Sequence, residues 1–249
     1  MKWRFLYRGM KARFRSQRVE LIALTESLAS GDYAIDVGAN KGSYLWALSR
    51  AVPKGCVFAF EPQPILADYL NQACEAAGIK NIQIENMGIS NQSGVLQLAI
   101  PGTGSSSPGA SFERAVASRE NCRSIDVNVS TLDAYFLKMS NKIGAIKIDV
   151  EGHELAVLQG GSELIKKHRP VVVCESEQRH MTTGSVNDIF DFFNKLNYQG
   201  FFCAKGKLIP VEEFDRSIHQ KESDGEYWNA KDYFNNFVFK PRTSSDFYQ

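Results

Sequence analysis

The chain carries no Gly-x-Gly-x-x-Gly run and no Gly-Lys-Ser/Thr phosphate cradle. A pyrophosphate needs closely approaching backbone N–H groups, so both absences count against dinucleotide and nucleoside-triphosphate sites. Cysteines are few and scattered: Cys56, Cys74, Cys122, Cys174 and Cys203 form no Cys-x-x-Cys pair. That spacing argues against a zinc ribbon or a dithiol redox motif. Cys56 and Cys174 fall in strand-like runs, where buried free thiols are the expected state. With no secretory signal pattern, a reducing cytoplasm is the expected compartment. No apolar run approaches the length of a membrane span. A formal net charge of +1 provides no broad field for nucleic acid, and none is expected as a partner.

Acids are also missing from the first 18 residues, which carry Lys2, Arg4, Arg8, Lys11, Arg13, Arg15 and Arg18. Trp3, Phe5, Leu6, Tyr7, Met10 and Phe14 are interleaved with them. Such a segment suits peripheral contact with an anionic membrane surface or with an acidic substrate. The plainer expectation is a basic N-terminal helical segment, residues 1–30, that packs its apolar residues on the domain and solvates its charges. Residues 31–249 are expected to form a single domain. At 43% hydrophobic and 23% charged residues, the 249-residue chain has the composition of a globular protein with a sizeable core.

The most informative stretch present is Ala34-Ile35-Asp36-Val37-Gly38-Ala39-Asn40-Lys41-Gly42. It reads as a short apolar strand, a glycine turn and the start of a helix. A second strand, Val57-Phe58-Ala59-Phe60, ends on Glu61. Asn40 occupies the position where a pyrophosphate would require glycine, and Glu61 is placed to accept both hydrogen bonds of a ribose diol. A cofactor with a ribose and no phosphate fits best, and S-adenosylmethionine is the common one. Strands at Tyr33–Val37, Cys56–Phe60 and Asn81–Glu85 alternate with helices at Ser43–Val52 and Ile65–Ala77. The alternation then breaks. Gly94–Ile100 and Ile125–Val129 read as antiparallel strands, and the Gly/Ser/Pro-rich segment near 101–121 reads as a lid that is mobile without ligand. Strand Ala145–Val150, helix Glu154–Lys167, strand Pro170–Glu175 and helix Val186–Leu196 resume the pattern. Phe201–Cys203 and Phe237–Phe239 close it, with Ile209–Tyr233 polar and irregular between them.

Strand Ala145–Val150 is unusual because Lys147, Asp149 and Glu151 share one face. A lysine in a central parallel strand must find an anion, and Asp149 or Asp36 is close enough in such a sheet. Ligands of open α/β sheets gather at the carboxyl ends of strands. Asp36, Glu61, Asp149 and Glu151 converge there, whereas Glu154 is expected to cap the following helix. His153 is a candidate base in the turn. Glu175 is a plausible pocket acid, and His180 a weaker one.

Several motifs together carry a resemblance: Ile35-Asp36-Val37-Gly38-Ala39-Asn40-x-Gly42-x-Tyr44, Phe60-Glu61-Pro62, Ser130-Thr131-Leu132-Asp133, Ile146-Lys147-Ile148-Asp149-Val150-Glu151-Gly152-x-Glu154 and Leu158-x-Gly160-Gly161. In this order they resemble the FkbM family of S-adenosylmethionine-dependent methyltransferases. The departures are Lys41, where a small or apolar residue is common, and residues 1–30 and 204–235, which match no family pattern. The resemblance implies a class I methyltransferase fold, Rossmann-like and doubly wound. Its sheet would be seven-stranded and mostly parallel, with one antiparallel strand in the edge region. It also implies O-methylation of a small-molecule or glycan hydroxyl. In such a site Asp36 and Gly38 would hold the amino-acid end of the cofactor and Glu61 its ribose. Asn40 and Gly42 would frame the turn, and Asn86 and Met87 would flank the adenine. Asp149 would lie near the methionine portion, and Glu151 or His153 would be the base. No metal is expected. The alternatives are a sugar O-methyltransferase gathering Mg²⁺ with Asp133, Asp149, Glu151 and His153, a nicotinamide oxidoreductase, and a non-catalytic nucleoside-cofactor-binding protein.

Overall fold

The computed structural model describes residues 1–118, 121–223 and 225–243. Its strands follow the apolar runs of the sequence. They are β1 Tyr33–Val37, β2 Cys56–Phe60, β3 Ile82–Glu85, β4 Gly88–Ile89, β5 Gly94–Pro101, β6 Cys122–Ser130, β7 Ile143–Ile148, β8 Val171–Glu175, β9 Tyr198–Ala204, β10 Lys207–Pro210 and β11 Asn236–Pro241. The main sheet has the order β10-β9-β11-β8-β7-β1-β2-β3. β3, β2, β1, β7 and β8 pair in parallel, and β11 runs antiparallel between β8 and β9. This is the expected doubly wound sheet with its reversed strand near one edge. Every residue of β7 is buried, as befits a parallel strand covered by helices on both faces.

An eighth strand extends the sheet beyond the seven expected. β10 pairs antiparallel with β9 through a two-residue turn, Lys205-Gly206, both at positive φ. Such turns match the twist of the strands they join. The segment from Ile209 onward therefore begins inside a strand and is not irregular from its first residue.

β5 and β6 pair antiparallel along their length, and β4 joins β6 in parallel to make a separate three-stranded sheet. Leu98, Ile100, Val127 and Val129 give that sheet a small core of its own, against which Ala110 and Phe112 pack. The helix expected over 154–167 is two helices, Glu154–Gln159 and Ser162–His168. The break falls at Gly160, where a Cβ would lie 2.1 Å from the Ser90 carbonyl oxygen, so the passing chain sets the interruption.

The N-terminal segment forms helices Lys2–Lys11 and Arg18–Glu26 joined by a widened turn, Ala12–Ser16. Phe5, Gly9 and Ala12 are buried against the domain. Trp3, Tyr7, Met10 and Phe14 are not, so only part of the expected packing occurs.

Candidate active site

β1, β2 and β7 end together, with Val37 in register with both Phe60 and Ile148. The turns that follow enclose a cleft of about 420 Å³ lined by Gly38, Asn40, Glu61, Asp149 and Glu151, with Ser111 and its neighbours from the 101–113 segment on the other side.

The first turn is fixed by backbone. Gly38 and Ala39 donate their N–H groups to the Phe60 carbonyl at 2.9 and 3.1 Å. Gly38 (φ 79°) cannot be replaced without collision, because a Cβ there would lie 1.8 Å from the Asp149 carbonyl oxygen. Asn40, at φ 48°, donates its N–H to Glu61 Oε2 at 2.7 Å, and Gln63 donates its N–H to Oε1 at 2.9 Å. Glu61 is thus buried at the cleft wall with its carboxylate oriented from both sides. Burial pushes its pKa up to about 7 despite those two hydrogen bonds. A carboxylate has about four acceptor sites, so two donors leave it capacity for a diol.

Beneath this turn lies a charged layer. Asp36 is opposite Lys147 in the β1–β7 register, and both are buried. Lys147 Nζ bonds Asp149 Oδ2 at 2.7 Å and lies 5.2 Å from the centre of the Tyr44 ring. Burial works against the lysine's charge, but Asp149, Asp36 and Glu175 outweigh it and hold its pKa above the usual lysine value. Burial also raises Asp36 to about 6, against the pull of Lys147. Asp36 Oδ1 and Tyr44 Oη are buried without a hydrogen-bond partner among the described residues. Buried polar atoms are normally satisfied, and the Asp36 acceptor, two residues before Gly38, is left open to a donor; Tyr198 Oη and Asn236 Oδ1 are orphaned elsewhere in the same way.

The second turn follows β7. Glu151 and Gly152 both adopt positive φ, 55° and 103°. Gly152 is required because a Cβ would meet the His180 carbonyl oxygen at 2.4 Å. Glu151 is not a residue that favours this region, and the cost of such a conformation is of order 1–3 kcal/mol. Glu151 lines the cleft, and its Oε2 contacts Nδ1 of the buried His180 at 2.6 Å. Glu154 accepts from the N–H groups of Gly152 and Val150, at 2.9 and 3.3 Å; both precede the helix, so it braces the turn and does not cap the helix as expected. It is fully buried, and burial raises its pKa to about 8.

Five of the predicted residues are placed elsewhere. His153 does not line the cleft. Its Nδ1 contacts Glu113 Oε1 and its Nε2 contacts Ser90 Oγ, each at 2.9 Å, so both ring nitrogens are committed. The partnership with His153 draws the Glu113 pKa below the ordinary carboxylate range. Gly42 makes room for packing, since a Cβ would lie 2.7 Å from the Phe5 ring and 2.9 Å from Leu70. Asn86 spends its amide on the carbonyls of Glu61 and Pro62, at 3.0 and 3.1 Å. Met87 packs on the core. Glu175 is bonded by Asn235 at 2.8 Å, and burial holds its pKa well above the usual carboxylate range.

The 101–113 segment is latched across the cleft, contrary to the expectation of a loose lid. Gln63 Nε2 donates to the Ser107 carbonyl and Gln63 Oε1 accepts from the Ser107 N–H, both at 2.9 Å. Ser111 Oγ donates to the Glu151 carbonyl at 2.6 Å, and Glu113 holds His153. Polar contacts do what its sparse apolar surface cannot. Residues 119 and 120 of the expected lid lie outside the described residues. Gln63, Ser107, Ser111 and Glu113 carried no signal in sequence, since each acts on a distant partner.

A strand order with one reversed strand between β8 and β9, and a ligand cleft at the ends of β1, β2 and β7, define a class I methyltransferase fold. The family model described as "Methyltransferase FkbM domain" matches residues 36–200, and the chain belongs to that family. It is 30% identical over 166 residues to the methyltransferase sdnD of Sordaria araneosa, a match covering 55% of this chain and 63% of that protein. It is also 30% identical over 182 residues to the hexuronic acid methyltransferase AglP of Haloferax volcanii, covering 66% of this chain and 70% of that one. Among solved structures, an FkbM methyltransferase from Methylobacillus flagellatus KT superposes with a TM-score of 0.50 at 16% identity, covering 84% of this chain and 44% of that one. No helix among the described residues is long and apolar enough to cross a membrane.

Proposed function

We propose that this chain moves the methyl group of S-adenosylmethionine onto a hydroxyl oxygen, with Glu151 as the base. One observation carries the reading: Glu151 lines the cleft in a costly backbone conformation, with its carboxylate oriented by His180. The cofactor fits the residues present. It is cationic at its sulfonium and ammonium groups, and the cleft is rich in acids, with the Asp36 Oδ1 and Tyr44 Oη orphans beneath it.

When bound, S-adenosylmethionine supplies an already activated methyl group. Asp36 and the Gly38 turn hold its amino-acid end, and Lys147 keeps Asp149 oriented beside it. Glu61 accepts the ribose diol. Pro62, which lines the cleft past Glu61, packs at the adenine end in place of Asn86 and Met87, while Gln63 spends its amide on Ser107. Glu151 would take the acceptor hydroxyl's proton as the methyl carbon passes from sulfur to that oxygen, leaving the cofactor as its neutral thioether. Orientation in such a cleft is worth up to about 7–11 kcal/mol, and the base a further ~10²–10⁴-fold. His153 is not assigned the base role, because Ser90 and Glu113 occupy both its nitrogens.

A metal-assisted route has weaker support. Asp133 spends its carboxylate on the N–H groups of Glu163 and Leu164, at 3.2 and 2.8 Å, so the four residues it needs do not converge. The Haloferax relative supports a sugar as acceptor class.

The test is transfer of labelled methyl from S-adenosylmethionine to a panel of monosaccharides, hexuronates and hydroxylated metabolites. An alkali-stable methyl ether on a hydroxyl is the expected product, formed equally well in EDTA. An alkali-labile methyl ester would contradict the reading, since a carboxylate acceptor needs no base. Cofactor binding without turnover on any acceptor would favour a non-catalytic role.

A further inference from the structure

Helix Lys2–Lys11 has two faces with different fates. Phe5 and Gly9 face the domain, with Gly9 so close to Trp46 that a Cβ would lie 2.6 Å from its Cβ. Arg8 is also tied down, donating to the Lys41 carbonyl and the Tyr69 hydroxyl at 3.0 and 3.2 Å. The other face carries Trp3, Tyr7 and Met10, spaced i, i+4 and i+7, so they form one stripe along the helix. Phe14 follows in the next turn. These four side chains are 78%, 64%, 42% and 64% exposed. Scattered exposed apolar residues need no explanation, but an aligned stripe with two aromatics does.

The charge around the stripe says what covers it. No acid occurs in residues 1–18, which hold seven Lys and Arg residues. Beyond Phe14 the chain opens into a cleft where Arg15, Arg18, Lys207 and Lys240 outnumber Glu20 and Glu26, so the basic face continues onto β10 and β11. An apolar stripe of Trp, Tyr, Met and Phe set in a cationic surface matches a bilayer interface. There aromatic rings sit at headgroup level and Lys or Arg meets anionic lipid.

We infer that the N-terminal helix docks the protein on anionic bilayers. Trp3, Tyr7, Met10 and Phe14 enter the interface, and Arg15, Arg18, Lys207 and Lys240 meet lipid phosphates. This inference does not rest on the acceptor or the base.

The test is co-sedimentation of the full chain with phosphatidylcholine vesicles and with phosphatidylcholine vesicles containing phosphatidylglycerol. Expected is binding to the anionic vesicles that weakens as salt is raised, with little binding to the neutral ones. A Trp3→Ser, Tyr7→Ser, Phe14→Ser variant should lose about tenfold or more in vesicle affinity. Its melting temperature and its affinity for S-adenosylhomocysteine should not change, because the replaced side chains are exposed. Absence of binding, or undiminished binding of the triple variant, would overturn the inference. So would a dimer in solution that the triple variant abolishes, since a second copy would then cover the stripe. Binding to heparin as tight as to vesicles and indifferent to the triple change would also overturn it, by assigning the face to polyanions.

Discussion

The turns after β1 and β7 are built alike and do different things. Each places two consecutive or near-consecutive residues at positive φ, Gly38 with Asn40 and Glu151 with Gly152. Each needs its glycine because another stretch of backbone presses on it, the Asp149 carbonyl in one case and the His180 carbonyl in the other. In the first turn the unusual non-glycine residue, Asn40, turns its backbone N–H to Glu61 and completes a rigid wall. In the second it is Glu151, a residue that lines the cleft with its carboxylate held by His180. On the proposed reading, one turn shapes a binding surface and the other presents the base. Their contact through Gly38 and Asp149 keeps the two in fixed relation.

Several substitutions would break or sharpen that contrast. Glu151→Gln should lower turnover by about two to four orders of magnitude, because it removes the base and leaves the shape of the turn. His180→Ala should act through Glu151 and cost up to about a hundredfold, the scale of a misplaced catalytic group. Steady-state kinetics on the accepted substrate checks both, and equal, small effects would remove the second turn from the chemistry.

Lys147→Met leaves the buried Asp36 and the partly exposed Asp149 without their cation and should destabilise by up to about 3–5 kcal/mol, read by denaturant unfolding. Gly38→Ala should cost well over the ~1–2 kcal/mol of left-handed strain alone, because of the collision with Asp149. Gly78→Ala, at φ 71° with open space around it, should show only that strain. Matching melting-temperature losses in the two glycine variants would show that the turns do not lean on each other.

The smallest effect is on pH dependence. Burial raises Asp36 to about 6, Glu61 to about 7 and Glu154 to about 8. A raised acid binds its proton more tightly folded than unfolded. Its stabilisation is therefore complete below the ordinary carboxylate range and is lost as pH rises through those values. Ligand-free protein should lose melting temperature across that window, and Glu154→Gln should flatten the upper part. S-adenosylhomocysteine, whose ammonium is assigned to Asp36, should restore more stability above pH 6 than below it. A ligand effect indifferent to pH would detach Asp36 from the ammonium.

Much of the frame was legible because it depends on local pattern. β1 and β2 follow apolar runs closed by glycine or acid, and the helix Pro64–Ala77 ends on a left-handed Gly78 as its sequence implies. The pairing of Lys147 was legible too, since a lysine in a buried strand has few alternatives. Gly42 and His153 misled for one reason. A turn sequence states that a glycine or a histidine is present, but not what packs against it. Here Phe5, Ser90 and Glu113, distant in sequence, decided their roles. The latch through Gln63 and Ser107 was invisible for the same reason.

The division of labour between the turns is tested most directly by calorimetry of S-adenosylhomocysteine with wild type, Glu61→Gln and Glu151→Gln side by side. The expected result is a loss of about 1.5–3 kcal/mol in affinity for Glu61→Gln, the scale of hydrogen bonds to a charged acceptor. Glu151→Gln should bind as wild type does. Unchanged affinity in Glu61→Gln, or an equal loss in both variants, would contradict the assignment of cofactor to the first turn and chemistry to the second.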